Sequence, residues 1–139
     1  MARILAIDYG QKRTGLAVTD PLKITATPLD TVPTQELLNF LTGYLAKEDV
    51  ELVLLGQPKQ LNGEDSENME RVRQFKRAFE KRFATPIQYA DERFTSTLAH
   101  QAILESGIGK KRRQDKALVD RIAATIILQT YLEQRPLVG

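Results

Sequence analysis

The chain has 139 residues, 42% of them hydrophobic and 27% charged, with a net charge of +2. These values are ordinary for a soluble globular protein and fit one domain, residues 1–139, with a full-sized core. There is no cysteine and one histidine, His100, so disulfides, thiolate metal sites and multi-histidine zinc sites are excluded, and any metal has to be held mainly by carboxylates, the ligands of hard ions such as Mg²⁺ or Mn²⁺.

The first strand is expected over Arg3–Asp8. Ile4–Ile7 is apolar without polar alternation, the pattern of a strand buried on both faces and therefore central. It ends on Asp8, a residue that is costly to bury unpaired. The opening MARILAID enters this strand at once and has no small-residue cleavage site, which argues against a signal peptide. No apolar run is long enough to span a bilayer, so a cytoplasmic protein with no membrane partner is expected.

A turn over Gly10–Arg13 leads to a second short strand, Thr14–Thr19. KITATPLDTV reads as a third. Pro28 lies inside it and cannot donate to a ladder, so this strand belongs at an edge. Three strands with short links predict an antiparallel meander. From Thr34 to about Lys47 the period becomes helical, with Leu37, Leu38, Leu41, Tyr44 and Leu45 on one face and Thr34 as a plausible N-cap. ELVLLG is a buried-type strand ending at Gly56, and QPKQLNGEDSEN is a polar loop. A second helix carries Met69, Val72, Phe75, Phe79 and Phe83, and PIQYADE is the fifth strand. Thr95 can cap a third helix that Gly107 ends. The last helix runs from about Gln114 to Gln134, with Val119, Ile122, Ala123, Ile126 and Ile127 apolar. The order β-β-β-α-β-α-β-α-α makes strands one, four and five parallel, and right-handed crossovers then give a mixed sheet with helices on both faces.

Parallel strands share one end, where open α/β sheets hold their ligand crevice. Strand one delivers Asp8 there, and strand five delivers Asp91 and Glu92. Asp120 lies inside the last helix among Ala117, Ala123, Ala124 and Ile127 at helical spacing, on the packed flank. At ~4 Å and an effective dielectric of about 20, each ionised pair costs roughly 4 kcal/mol. A divalent cation removes that cost and is suited to phosphodiester hydrolysis. Each acid also has a structural alternative. Asp8 can cap the Tyr9–Gly10 turn, Glu92 can pair with Arg93, and Asp120 can pair with Arg121 or Lys116. Two basic runs accompany the acids. One is Lys110, Lys111, Arg112 and Arg113 behind two glycines; the other is ERVRQFKRAFEKRF. Either alone reads as a solvated face. Beside a carboxylate site they point to nucleic acid.

The segments AIDYGQKRTGLAVTD, GQPKQLNGEDSEN, YADERFTST and DKALVDRIAATIILQTYL, in this order over almost the whole chain, resemble the YqgF family, also called RuvX. The resemblance implies a ribonuclease-H-like α/β fold with strand order 3-2-1-4-5, and a metal-dependent nuclease. It implies processing of the 5′ end of pre-16S rRNA in ribosome biogenesis, or alternatively resolution of Holliday junctions. It also implies that Asp8, Glu92 and Asp120 are the catalytic, metal-holding acids, with Mg²⁺ or Mn²⁺, and that Arg13 and Arg93 bind phosphate. Lys110–Arg113 is expected to follow the nucleic-acid backbone. Thr19 stands where the family often has serine, and Gln57 where it has leucine; neither change removes an acid. Strand four ends LLGQP without a carboxylate, so Glu92 has to reach across from strand five. Structured RNA or branched DNA, and ribosomal precursor particles, are the expected partners of a monomer or homodimer. One rival is a nucleic-acid-binding factor that does not cut. Another, a fragment of an actin-like or sugar-kinase protein, needs two lobes and is disfavoured by length.

Overall fold

The computed structural model describes residues 2–57, 69–91 and 116–134. Its elements are β1 (Arg3–Tyr9), β2 (Arg13–Thr19), β3 (Ala26–Pro33), a 3₁₀ turn (Thr34–Glu36), α1 (Leu37–Lys47), β4 (Val50–Gln57), α2 (Met69–Arg82), β5 (Ile87–Asp91) and α3 (Lys116–Gln134). The strands form one sheet in the order β3-β2-β1-β4-β5. β1–β2 and β2–β3 are antiparallel, and β1–β4 and β4–β5 are parallel. The unbroken apolar run of β1 is thus the centre of the sheet, and the strand with Pro28 is its edge.

Alternation along β1 sorts its side chains between two cores. Leu5 and Ile7 join Leu16, Val18, Val53 and Leu55 under Leu37 and Leu41 of α1 and Val72, Phe75 and Phe79 of α2. Ile4 and Ala6 join Ala17 and Leu54 under Ala124, Ile127 and Leu128 of α3. The first core is bulky and carries an aromatic chain, with ring centroids 5.2 Å apart for Tyr9–Phe75, 6.2 Å for Phe75–Phe79 and 4.7 Å for Phe79–Phe83. Full burial of a side chain such as Phe79 contributes about 1.5–3 kcal/mol. In the second core Ala6, Ala17 and Ala124 stand among the larger Ile4, Leu54, Ile127 and Leu128, and these alanines let α3 lie close across β3, β2 and β1.

Three local details depart from the sequence reading. Thr34 does not cap α1. It opens the 3₁₀ turn, which makes no side-chain cap bond, and its hydroxyl donates to Gly10 O (2.7 Å) and lies 2.9 Å from Thr14 Oγ1. Those partners in the β1–β2 region take the hydroxyl a helix end would otherwise use. β3 begins at Ala26 rather than Lys23, because the Asp20 carboxylate accepts backbone N–H bonds from Leu22 (3.2 Å), Ile24 (2.8 Å) and Thr25 (2.8 Å). Those bonds, led by Thr25, hold the Asp20 carboxyl below the usual carboxylate range. Lys23, at φ 59°, completes this loop in the left-handed region and pairs with Glu51. In α3 the buried seam is Ala123, Ala124, Ile127 and Leu128, while Ile122 and Ile126 are half-buried. The helix expected from Thr95 and the polar loop after Gln57 lie outside the described residues.

Candidate active site at the end of the central strand

Asp8 is half-buried near the C-terminal end of β1. By the pleat it shares the α3 side of the sheet with Ile4 and Ala6. Its register neighbours explain what surrounds it. Asp8 is level with Gly15 of β2, and Gly15 with Thr31 of β3. Ile7 is level with Leu55, which sets Asp8 beside Gly56 of β4, and Gly56 is level with Ala90 of β5. Across the sheet at this level the row therefore reads Thr31, Gly15, Asp8, Gly56, Ala90. One carboxylate stands in a row of small residues, with a glycine on either side. No bulky side chain of the two neighbouring strands therefore stands beside Asp8 at this level.

The β1–β2 turn lies just beyond this row. A Cβ on Gly10 would lie 2.2 Å from the Arg13 carbonyl oxygen, so the turn closes too tightly for any other residue. Thr34 ties the turn down through Gly10 O. The turn delivers Arg13 to the start of β2. Arg13 alternates with Gly15 and Ala17, so it falls on the α3 side with Asp8, one step further out, and is half-buried there.

Asp120 lies on α3, three and four residues before Ala123 and Ala124 and seven and eight before Ile127 and Leu128. Its backbone position is thus on the helical row that packs against the sheet. Glu92 directly follows Asp91, the last residue of β5, which is level with Gln57 of β4. Glu92 itself lies outside the described residues, as do Arg93, Lys110, Lys111, Arg112 and Arg113. Among the described residues no group of three acids or histidines forms a metal site; of the expected trio, Asp8 is the one whose side chain is described. The structure brings together Asp8, Arg13 and the helix that bears Asp120. It also separates β1 from β5 by β4, and the β4 position level with Asp8 is Gly56. The sequence located Gly56 as a strand end. Its pairing with the acid needed the register.

Comparison with known proteins agrees with this architecture. Residues 2–134 match the family model described as RuvX, Holliday junction resolvase. A protein of Bacteroides thetaiotaomicron is 61% identical over 136 residues, covering 97% of this chain and 99% of its own length. One from Bacteroides fragilis is 57% identical over 138 residues, covering 99% and 100%. One from Porphyromonas gingivalis is 58% identical over 134 residues, covering 96% and 97%. All three bear the name "Putative pre-16S rRNA nuclease". With its mixed sheet in the order 3-2-1-4-5 and an acid ending the central strand, the chain belongs to the RuvX family and has a ribonuclease-H-like fold.

Proposed function

We propose that this protein is a metal-dependent endonuclease that hydrolyses phosphodiester bonds in processing the 5′ end of pre-16S rRNA. The observation that carries the reading is Asp8. It is a half-buried carboxylate at the end of the central strand, with glycine in register on both sides, on the face covered by the helix that bears Asp120. An oxygen donor flanked by small residues fits a hard, hydrated divalent ion better than a softer metal. Asp8, Glu92 and Asp120 would hold Mg²⁺ or Mn²⁺. Such an ion, when bound, polarises a phosphoryl oxygen and lowers the pKa of bound water. The chain's own contribution is to place the substrate. Arg13, on the same side of the sheet as Asp8, is suited to grip a phosphate through its planar fork, and Arg93 is assigned the same role. Lys110–Arg113 would follow the strand backbone by charge.

The names of the relatives favour the ribosomal precursor, and the family description names a four-way junction. Both substrates are cut by the same chemistry. The test is cleavage of a pre-16S rRNA fragment and of a four-way DNA junction side by side, in Mg²⁺, in Mn²⁺ and in chelator. Wild type is expected to cut the RNA with divalent ion only, and Asp8→Asn to lose about 10²-fold or more, the scale of removing one group that stabilises a transition state. RNA cleavage by Asp8→Asn at the wild-type rate overturns the site. Cutting of the junction with the RNA left intact replaces the substrate.

A further inference from the structure

On the opposite side of the sheet from Asp8, the next residue of β1 opens into a concavity. Half-buried Tyr9 lines it as an aromatic floor, packed on the buried Phe75 with ring centroids 5.2 Å apart. Gln11, Gln35 and Gln74 stand around it, and Arg71 lies at its rim. The groove has a volume of about 460 Å³, within the range of small-molecule sites. The three glutamines and Arg71 are exposed to solvent. Charge on α2 is unevenly used. Glu70 pairs with Arg73 (3.4 Å) and Arg77 (3.5 Å), and Glu80 with Lys76 (3.2 Å). Arg71 has no acidic partner among the described residues, although it lies one position from Glu70. Burial pushes the Tyr9 phenol above its ordinary value, with the Arg71 charge opposing, so the ring is neutral at physiological pH.

We propose that this groove is a second nucleic-acid subsite, which takes one unpaired nucleotide of a strand that rounds the sheet edge from the Asp8 side. The chemistry of the wall matches that ligand part by part. An aromatic floor stacks on a base of any sequence. Side-chain amides offer a donor and an acceptor each to the edge of an unpaired base. Arg71 meets the phosphate with a charge that no carboxylate among the described residues neutralises. A paired base presents neither its face nor its pairing edge, so duplex is excluded from the groove. Asp8 and Tyr9 are consecutive residues of one strand, so a chain bound on both sides of that strand end is held across the scissile region. The proposal rests on nucleic acid being the substrate, but not on the metal or on cleavage.

The test is binding without turnover. Fluorescein-labelled five-nucleotide single strands of RNA and of DNA, and the blunt duplex of the same sequence, are titrated against the full-length protein in chelator. Single strands are expected to bind more tightly than duplex, and the ring protons of Tyr9 to shift upfield on adding them. Arg71→Ala is expected to weaken single-strand binding about ten-fold, the loss of a charge-assisted contact. Gln74→Ala is expected to weaken it several-fold. Lys81→Ala removes a charge from the same helix away from the groove, and is expected to change binding by about two-fold at most. Equal losses for Arg71→Ala and Lys81→Ala, or equal losses for single strand and duplex, overturn the subsite and leave only a basic helix. Because these readings are taken in chelator, they stand or fall separately from the cleavage test of Asp8→Asn.

Discussion

Single atoms decide the β1–β2 turn. The Arg13 carbonyl that would meet a Cβ on Gly10 at 2.2 Å is backbone, so the clash cannot be relieved by swinging a side chain. The turn would have to open. That moves Gly10 O away from the Thr34 hydroxyl, now 2.7 Å off, and disturbs the Thr14–Thr34 contact at 2.9 Å, where Thr14 is fully buried. Gly10→Ala is therefore expected to destabilise the protein by about 2–3 kcal/mol, a strained turn plus a weakened buried hydrogen bond. Urea unfolding measures it, and a change below about 0.5 kcal/mol would mean the turn relaxes freely. A second case is Thr19. At the register shift between Arg3 and Ile4, the Ile4 N–H donates to Thr19 Oγ1 at 2.9 Å. Serine at position 19 offers the same acceptor, which is why the family's frequent alternative there is harmless to the strand.

At the scale of elements, α1 contains an unexploited gain. Gly43 sits in the interior of the helix, is exposed, and a Cβ placed on it meets nothing within 4 Å. Glycine there costs conformational entropy without relieving any crowding. Gly43→Ala is expected to stabilise the protein by about 0.5–1 kcal/mol, read as a higher urea midpoint at unchanged slope. The placement of elements was legible in the sequence wherever one residue type has one physical consequence. The uninterrupted Ile4–Ile7 run meant burial on both faces, and Pro28 meant an edge. It was not legible where the outcome depended on a distant partner. Thr34 looks like a cap until Gly10 and Thr14 are seen to claim its hydroxyl. Lys23 looks like strand until Asp20 takes three backbone N–H groups around it. In α3 the helical period admits several faces, and the sheet selected the seam through Ala123 and Ala124, where the helix can approach most closely. Asp8 stood out in the sequence because an acid rarely follows an apolar run, and Arg13 through the resemblance to the family. Their common side of the sheet, and the glycines that flank Asp8, required the strand register.

Over the whole molecule the two cores divide the work. Among the described residues the face under α1 and α2 holds most of the large buried side chains, including Phe75, Phe79, Leu55 and Leu41, and supplies most of the hydrophobic stabilisation. The face under α3 has a smaller core, in which Ala6, Ala17 and Ala124 stand beside Ile4, Leu54, Ile127 and Leu128. An element held by small residues gains less from burial, so a bound ion has more to add there. In the proposed site one acid belongs to the sheet and another to α3, and the ion would clamp the helix to the strand end. Binding that favours the folded state raises stability by mass action, about 2.7 kcal/mol when the ion is a hundredfold above its dissociation constant. For a chain of this size that is roughly 5–20 °C in melting temperature. Mg²⁺ and Mn²⁺ are accordingly expected to raise the thermal midpoint of the wild type, measured by circular dichroism against chelator. Asp8→Asn removes one ligand and should abolish the rise. In the proposed site, where Asp8 is one of three acids drawn together, the variant should also melt higher than wild type in chelator, because the asparagine stays neutral. The two outcomes have opposite signs for the same substitution, which a general loss of folding cannot reproduce. An equal divalent-dependent rise in wild type and variant would show that the ions bind elsewhere on the chain, and that Asp8 ends its strand for a reason other than a metal.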